Sequence, residues 1–193
     1  ATQTEEEKQA FTDFFEEYEE TLELLAESYQ VLRYQGVEAD DLAAHLVKQK
    51  EQYGLEDIWL LSSDRDWDLL IQEGVSRFSY VTRKEVTIDN WSEHYNVTPE
   101  EYISFKCLTG DKGDNVPGIT GIGPKRAEQL INMYGDAMTI YDNVPIEGHY
   151  KYIQELNLNA EVLLKNYELM DLVTYCDDAI GKDNVSDIQE RMV

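Results

Sequence analysis

Between positions 117 and 126 the chain reads Pro117-Gly118-Ile119-Thr120-Gly121-Ile122-Gly123-Pro124-Lys125-Arg126, a density of proline and glycine that rules out an uninterrupted helix or strand there. Gly118, Gly121 and Gly123 permit positive φ and close backbone approach, and Pro124 is placed to open a helix. The first N–H groups of such a helix lack intrahelical partners, and Lys125 and Arg126 stand beside them, so the segment has the make-up of a phosphate-holding turn. A purely structural helix-turn-helix satisfies the same pattern.

Just before this turn lie Asp111 and Asp114, and five more acids form two other short clusters: Glu38, Asp40 and Asp41, then Asp64 and Asp66. Carboxylates gathered at one place repel one another and bind protons unless cations neutralise them, which makes a divalent-metal site the first hypothesis. On a helix starting near Glu38, the side chains of Glu38 and Asp41 share a face and Asp40 points to an adjacent one. The plain alternative is a first turn of acids complementing the helix dipole. Asp64 and Asp66 follow a short strand, where open α/β sheets place ligand sites, although helix-capping aspartates have the same look. An EF-hand is a poor reading of this loop, because Leu69 stands where Gly is needed and Val75 where a bidentate Glu is needed.

Charge is the main objection to a nucleic-acid partner: the 193 residues hold 40 Asp and Glu against 16 Lys and Arg, a net charge of -24. The excess is unevenly spread. Residues 1–30 contain ten acids and one base, Lys8, and the seven clustered carboxylates are ones that bound metal would partly cancel. Cys107 and Cys176 are too few and too far apart for a disulfide framework or a structural zinc, which fits a reducing cytoplasm. His45, His94 and His149 are isolated from any nucleophile. No apolar run has the length of a membrane span, and no signal segment opens the chain. Ala1 in place of Met points to a fragment or a processed product.

Apolar periodicity predicts an acidic amphipathic helix over 5–29, a second helix from Glu38 to about Gly54, and a strand over 57–62 buried on both faces. A helical turn at 67–73 and strands at 75–80 and 85–88 follow. Beyond Asp89 no strand signal stands out, and helices are predicted at 89–95, 99–108, 124–134, 150–156 and 160–172. The chain therefore reads α/β first and all-α afterwards.

Taken together, residues 36–41, 61–66 and 108–127 resemble the motifs of the 5′-nuclease family of flap endonucleases, of the bacteriophage type and similar to the 5′-nuclease domain of bacterial DNA polymerase I. The resemblance covers 36–142 and extends toward 179. It implies a PIN-like parallel-sheet nuclease core over 1–97 and an all-α helix-hairpin-helix subdomain over 98–193. It implies that Glu38, Asp40, Asp41, Asp64, Asp66, Asp111 and Asp114 form a catalytic bed for two or more Mg2+ or Mn2+ ions. Gly118, Gly121, Gly123, Lys125 and Arg126 would then grip DNA through phosphate, with K+ held by carbonyls of the turn. The substrate class is DNA with a 5′ end or flap, in the cytoplasm of a bacterium or a phage-infected host. The family's first strand, early aspartates and basic arch lie upstream of the matching region, so an N-terminal nuclease segment, covalent or separate, is expected to complete the site. A non-catalytic DNA-binding module with structural carboxylates is the competing expectation.

Overall fold

The computed structural model describes residues 4–192, and the chain forms two compact units, one up to Val37 and one from Glu38 onward. In the first, α1 (Glu5–Ala26) opens on a capping box, with Thr4 accepting from the Glu7 N–H and the Glu7 carboxylate accepting from the Thr4 N–H. The predicted apolar stripe is present, and its rings pack along the helix, Phe11 against Phe15 with centroids 4.7 Å apart. Arg33 returns to bond Glu19 at 2.7 Å and lies over the Tyr18 ring.

The second unit begins with α2 (Ala39–Lys48), then a sheet in which β1 (Ile58–Leu61) pairs in parallel with β2 (Val75–Ser79), and β2 antiparallel with β3 (Lys84–Val86). A 3₁₀ turn, Asp66–Leu70, fills the predicted helical turn between β1 and β2. Ala43, Ala44 and Val47 of α2 pack with Leu60, Leu70 and Val75 on one face of this sheet. Burial of β1 on both faces is not what the structure shows. Leu60 is buried, whereas Trp59 and Leu61 are 52% and 68% exposed, because α2 covers one face only.

Helices then dominate: α3 (Trp91–His94) and α4 (Pro99–Thr109), the latter with its own Thr98–Glu101 capping box. Contrary to the expectation of no strand here, β4 (Gly110–Asp111) and β5 (Val116–Pro117) form a two-residue antiparallel ladder. It is too short to leave a period in the sequence and is set by the turn it closes. After it come α5 (Pro124–Tyr134), α6 (Ala137–Asp142) and α7 (Lys151–Leu158). The single helix expected over 160–172 is interrupted at Asp171, which ends α8 (Glu161–Met170) and caps α9 (Leu172–Ile180) by accepting from the Thr174 N–H. The last element is α10 (Lys182–Met192).

Leu108, Ile131, Ile140, Leu156 and Leu163 form the fully buried centre of the helical part, each contributing about 1.5–3 kcal/mol by leaving water. Helix α9 packs back on α2, where His45, wholly buried, meets Asp177 through Nδ1 at 2.7 Å and the Tyr53 hydroxyl through Nε2 at 2.9 Å. This is a structural role, as expected for an isolated histidine. No helix among the described residues is long and apolar enough to cross a membrane.

Candidate metal centre and glycine turn

Three of the seven predicted carboxylates come together: Asp66, Asp111 and Asp114 each offer an oxygen within 4.8 Å of the others. Asp66 sits at the start of the 3₁₀ turn, its N–H donating to Asp64 Oδ1 at 2.9 Å. Asp111 ends β4 and accepts the Gly113 N–H of the turn that follows at 2.7 Å. Asp114 bonds to Asp66, and that contact, reinforced by partial burial and by the charges of Asp66 and Asp111, pushes its carboxyl up to about 6. Close-set carboxylates disfavour one more negative charge, so this group protonates more readily than an isolated one.

The second layer of acids is looser. Asp40 accepts the Trp67 indole N–H at 2.6 Å. Burial raises its carboxyl, against the effect of that bond, and the nearby charges of Asp64, Asp66 and Glu38 raise it further. Asp40 therefore links the α2 cluster to the Asp64–Asp66 cluster. Asp41 does something different: it accepts from the Glu38 backbone at the start of α2, although burial keeps its carboxyl above the ordinary value. That is half of a capping box. Glu38, the N-cap, makes no capping bond with its own side chain and is exposed.

Lys106 was absent from the expected set and is the closest thing to a resident cation. It is 5% exposed, contacts Asp66, and donates to Asp111 at 3.0 Å. Burial alone would lower its pKa, but the two carboxylates outweigh that and hold it above the ordinary value, hence charged. The same ammonium, with the Gly113 and Asp114 N–H groups, overcomes burial at Asp111 and holds that carboxyl below its usual value. The fold thus places one positive group among these oxygens. The sequence carries a signal for it: a lysine interrupting the apolar run Tyr102, Ile103, Phe105, Cys107, Leu108.

The proton on Asp114 has a measurable consequence. Because its pKa is raised, it contributes to metal-free stability fully below about 3.8, and this contribution is lost as pH rises through about 6. Metal entering below pH 6 must displace the proton. Calorimetric Mn2+ titrations in buffers of different ionisation enthalpy should show weaker binding at pH 5 than at pH 7, with about one more proton released per ion. Proton release that does not change between these pH values would contradict the assignment.

In the glycine turn, the three glycines have different reasons to be glycine. Only Gly121 has positive φ, at 82°. Gly118 packs so closely on the Thr109 carbonyl, and Gly110 on the Gly118 nitrogen, that neither leaves room for a side chain. Gly123 is the extended N-cap of α5, and a Cβ there would meet nothing within 4 Å. The freedom that the three glycines share is thus used in three ways: one turns the chain, one lets two backbones touch, and one lies open at a helix N-terminus. Arg126 donates to the Gly121 carbonyl at 2.5 Å and stacks on Tyr152 at 4.4 Å, while Lys125 is exposed. Beneath the turn, buried Asn166 donates to the Cys107 and Pro117 carbonyls at 3.0 and 2.8 Å. It ties α8 to both ends of the segment that carries Asp111 and Asp114, another contact that local pattern does not reveal.

Residues 97–190 match the family model described as "5'-3' exonuclease, C-terminal SAM fold". The chain is 44% identical over 182 residues to a flap endonuclease of Escherichia phage T5, covering 94% of this chain and 62% of that protein. It is 34% identical over 146 residues to a 5'-3' exonuclease of Buchnera aphidicola, covering 72% of this chain and 51% of the relative. With DNA polymerase I of Rhizobium leguminosarum it shares 35% over 140 residues, only 14% of that enzyme. The chain thus spans less than two thirds of these relatives. A phage T5 structure co-crystallised with metal ions superposes with a TM-score of 0.91 at 41% identity, covering all of this chain and 72% of that one. A T5 flap endonuclease complex with DNA and metal ions gives 0.89, also at 41%. On that likeness, and on the exonuclease model that covers its helical part, this chain belongs to the 5′-nuclease family of flap endonucleases and 5′-3′ exonucleases.

Proposed function

We propose that this chain carries the cation-binding and DNA-gripping parts of a metal-dependent 5′-nuclease, which hydrolyses DNA phosphodiesters near a 5′ end or at a flap junction in replication or repair. The observation that carries this reading is the meeting of Asp66, Asp111 and Asp114 within 4.8 Å, the last two on a segment continuous with the Pro117–Pro124 glycine turn. Asp66, Asp111 and Asp114 would hold one Mg2+ or Mn2+, and Asp40, Asp64 and Glu38 would contribute to a second. Asp41 would act chiefly by fixing the start of α2. Ions bound there supply Lewis-acid polarisation of a phosphoryl oxygen and make water more acidic.

The chain's own groups supply position. Lys106 aligns Asp66 with Asp111, and Asn166 fixes the loop. Gly123 and the N-terminal N–H groups of α5 offer a DNA phosphate an approach unobstructed by a side chain, and Lys125 adds charge. In this reading residues 1–97 belong to the catalytic core and 98–193 to the DNA-binding subdomain. A K+ at the turn carbonyls would have to displace Arg126 from Gly121. The bare face and edge of β1 support completion by a further strand, with additional ligands, from outside residues 1–193, in the same polypeptide or another. The cytoplasm of a bacterium or infected host is the corresponding location.

A 5′-flap duplex incubated with the chain and its completing segment should be cut at the junction with Mg2+ or Mn2+ and remain intact in EDTA. Absence of cleavage by the completed protein, with no Mn2+ uptake by calorimetry, refutes the reading. Full turnover by residues 1–193 alone refutes only the need for completion.

A further inference from the structure

A cavity of about 210 Å³ opens beside the acid centre, lined by Arg65, Arg77, Lys84 and His94 and by no acidic residue. In a chain with 40 acids and 16 Lys and Arg, a cavity so composed requires explanation. Its construction follows from strand register. Arg77 and Ser79 lie on one face of β2, and Ser79 pairs across the hairpin with Lys84. Arg65 comes from the loop after β1, where Ser63 and Arg65 alternate with Asp64 and Asp66, and His94 comes from α3.

The floor is pre-organised. Arg77 is 5% exposed and commits three of its five N–H donors, two to Asp68 and one to the Ser62 carbonyl. Two donors remain. Ser79, 4% exposed, accepts the Thr82 N–H at 3.2 Å, which leaves its own O–H to donate. At the rim, Arg65, Lys84 and His94 are exposed and make no ion pair among the described residues. Buried donors below and the unpaired charges of Arg65 and Lys84 above match the demand of a phosphate group, which offers acceptors on several sides and negative charge.

We infer that this cavity is a phosphate-binding site for a nucleic-acid strand, distinct from the glycine turn and separated from the carboxylate centre by single residues of the 63–66 segment. The inference rests on the nuclease reading for the identity of the strand. The shared ligand chemistry is a phosphate ester, either a terminal 5′-phosphomonoester or an internal phosphodiester.

Fluorescence anisotropy in EDTA, with oligonucleotides identical except for a 5′-phosphate or 5′-hydroxyl, tests this without any cleavage. Arg65→Glu and Lys84→Glu should each weaken binding by about tenfold and lower the slope of log affinity against log salt by about one. A loss confined to the 5′-phosphorylated strand assigns the terminal group, and an equal loss on both assigns an internal phosphate. Wild-type affinity and slope in both variants overturn the site. If a charge reversal prevents folding, inorganic phosphate added to the unaltered chain decides: the His94 ring resonances should shift, and unmoved resonances overturn the site. Normal binding through this cavity by a completed protein that never cuts DNA would defeat the nuclease reading alone.

Discussion

Asp111→Asn should lower the rate of flap cleavage by the completed protein about 10²–10³-fold while DNA binding is kept or strengthened. The magnitude is that of removing one pre-organised charge-stabilising group, about 2.7–4 kcal/mol in the transition state. The geometry explains why the fold should survive. Asp111 Oδ1 accepts the Gly113 N–H at 2.7 Å, and an Asn oxygen can accept it equally. Lys106 then faces the amide nitrogen in place of a carboxylate oxygen and must turn toward Asp66, its remaining charged partner. What the change removes is a negative ligand from the three-oxygen group, and with it some repulsion of DNA phosphate. Single-turnover cleavage and anisotropy on the same substrate separate the two effects. Wild-type cleavage by Asp111→Asn would detach the carboxylate group from the chemistry, and equal loss of binding and cleavage would make Asp111 a structural residue.

Legibility from sequence depended on how local each feature is. The start of α4 at Pro99, the proline-opened α5 and the glycine turn are written in a few adjacent residues and are where the pattern put them. Asp111 and Asp114 are three apart on one turn, so their proximity was readable; their meeting with Asp66 was expected from the family resemblance rather than from periodicity. Lys106 reaches Asp66 across 40 residues and Asn166 reaches Pro117 across 49, and no periodicity reports such pairs. Local reasoning also gives a residue type one meaning where the fold gives it several. The same cluster yields Asp41 as a cap and Asp40 as a partner of Trp67, and the three turn glycines serve three different purposes. The exposed face of β1 was misread because four apolar residues in a row look alike whether one side or both are covered.

The largest stability effect should come from Asp68. Its side chain is fully buried and that of Arg77 is 6% exposed. The two are joined by Nε and Nη2 bonds of 2.5 and 2.9 Å, with the Tyr95 hydroxyl also donating to the carboxylate. Asp68→Ala leaves the guanidinium buried without its counter-charge and removes the acceptor for Tyr95, so thermal or urea unfolding should show a loss of about 3–5 kcal/mol. For a chain of this size that corresponds to a Tm lower by roughly 10 °C. Replacing both partners with apolar residues, as in Asp68→Leu with Arg77→Met, should recover most of the loss, because the single change is costly through the orphaned charge rather than through the absence of the pair. A single-variant loss below about 1 kcal/mol would mean that water reaches the guanidinium and that the bridge is effectively a surface one. The recovered double variant then isolates function from stability. Stable but lacking Arg77, it should keep the Asp66, Asp111 and Asp114 group while losing the floor of the basic cavity, so any drop in DNA affinity it shows at unchanged Mn2+ uptake belongs to the cavity and not to the metal centre.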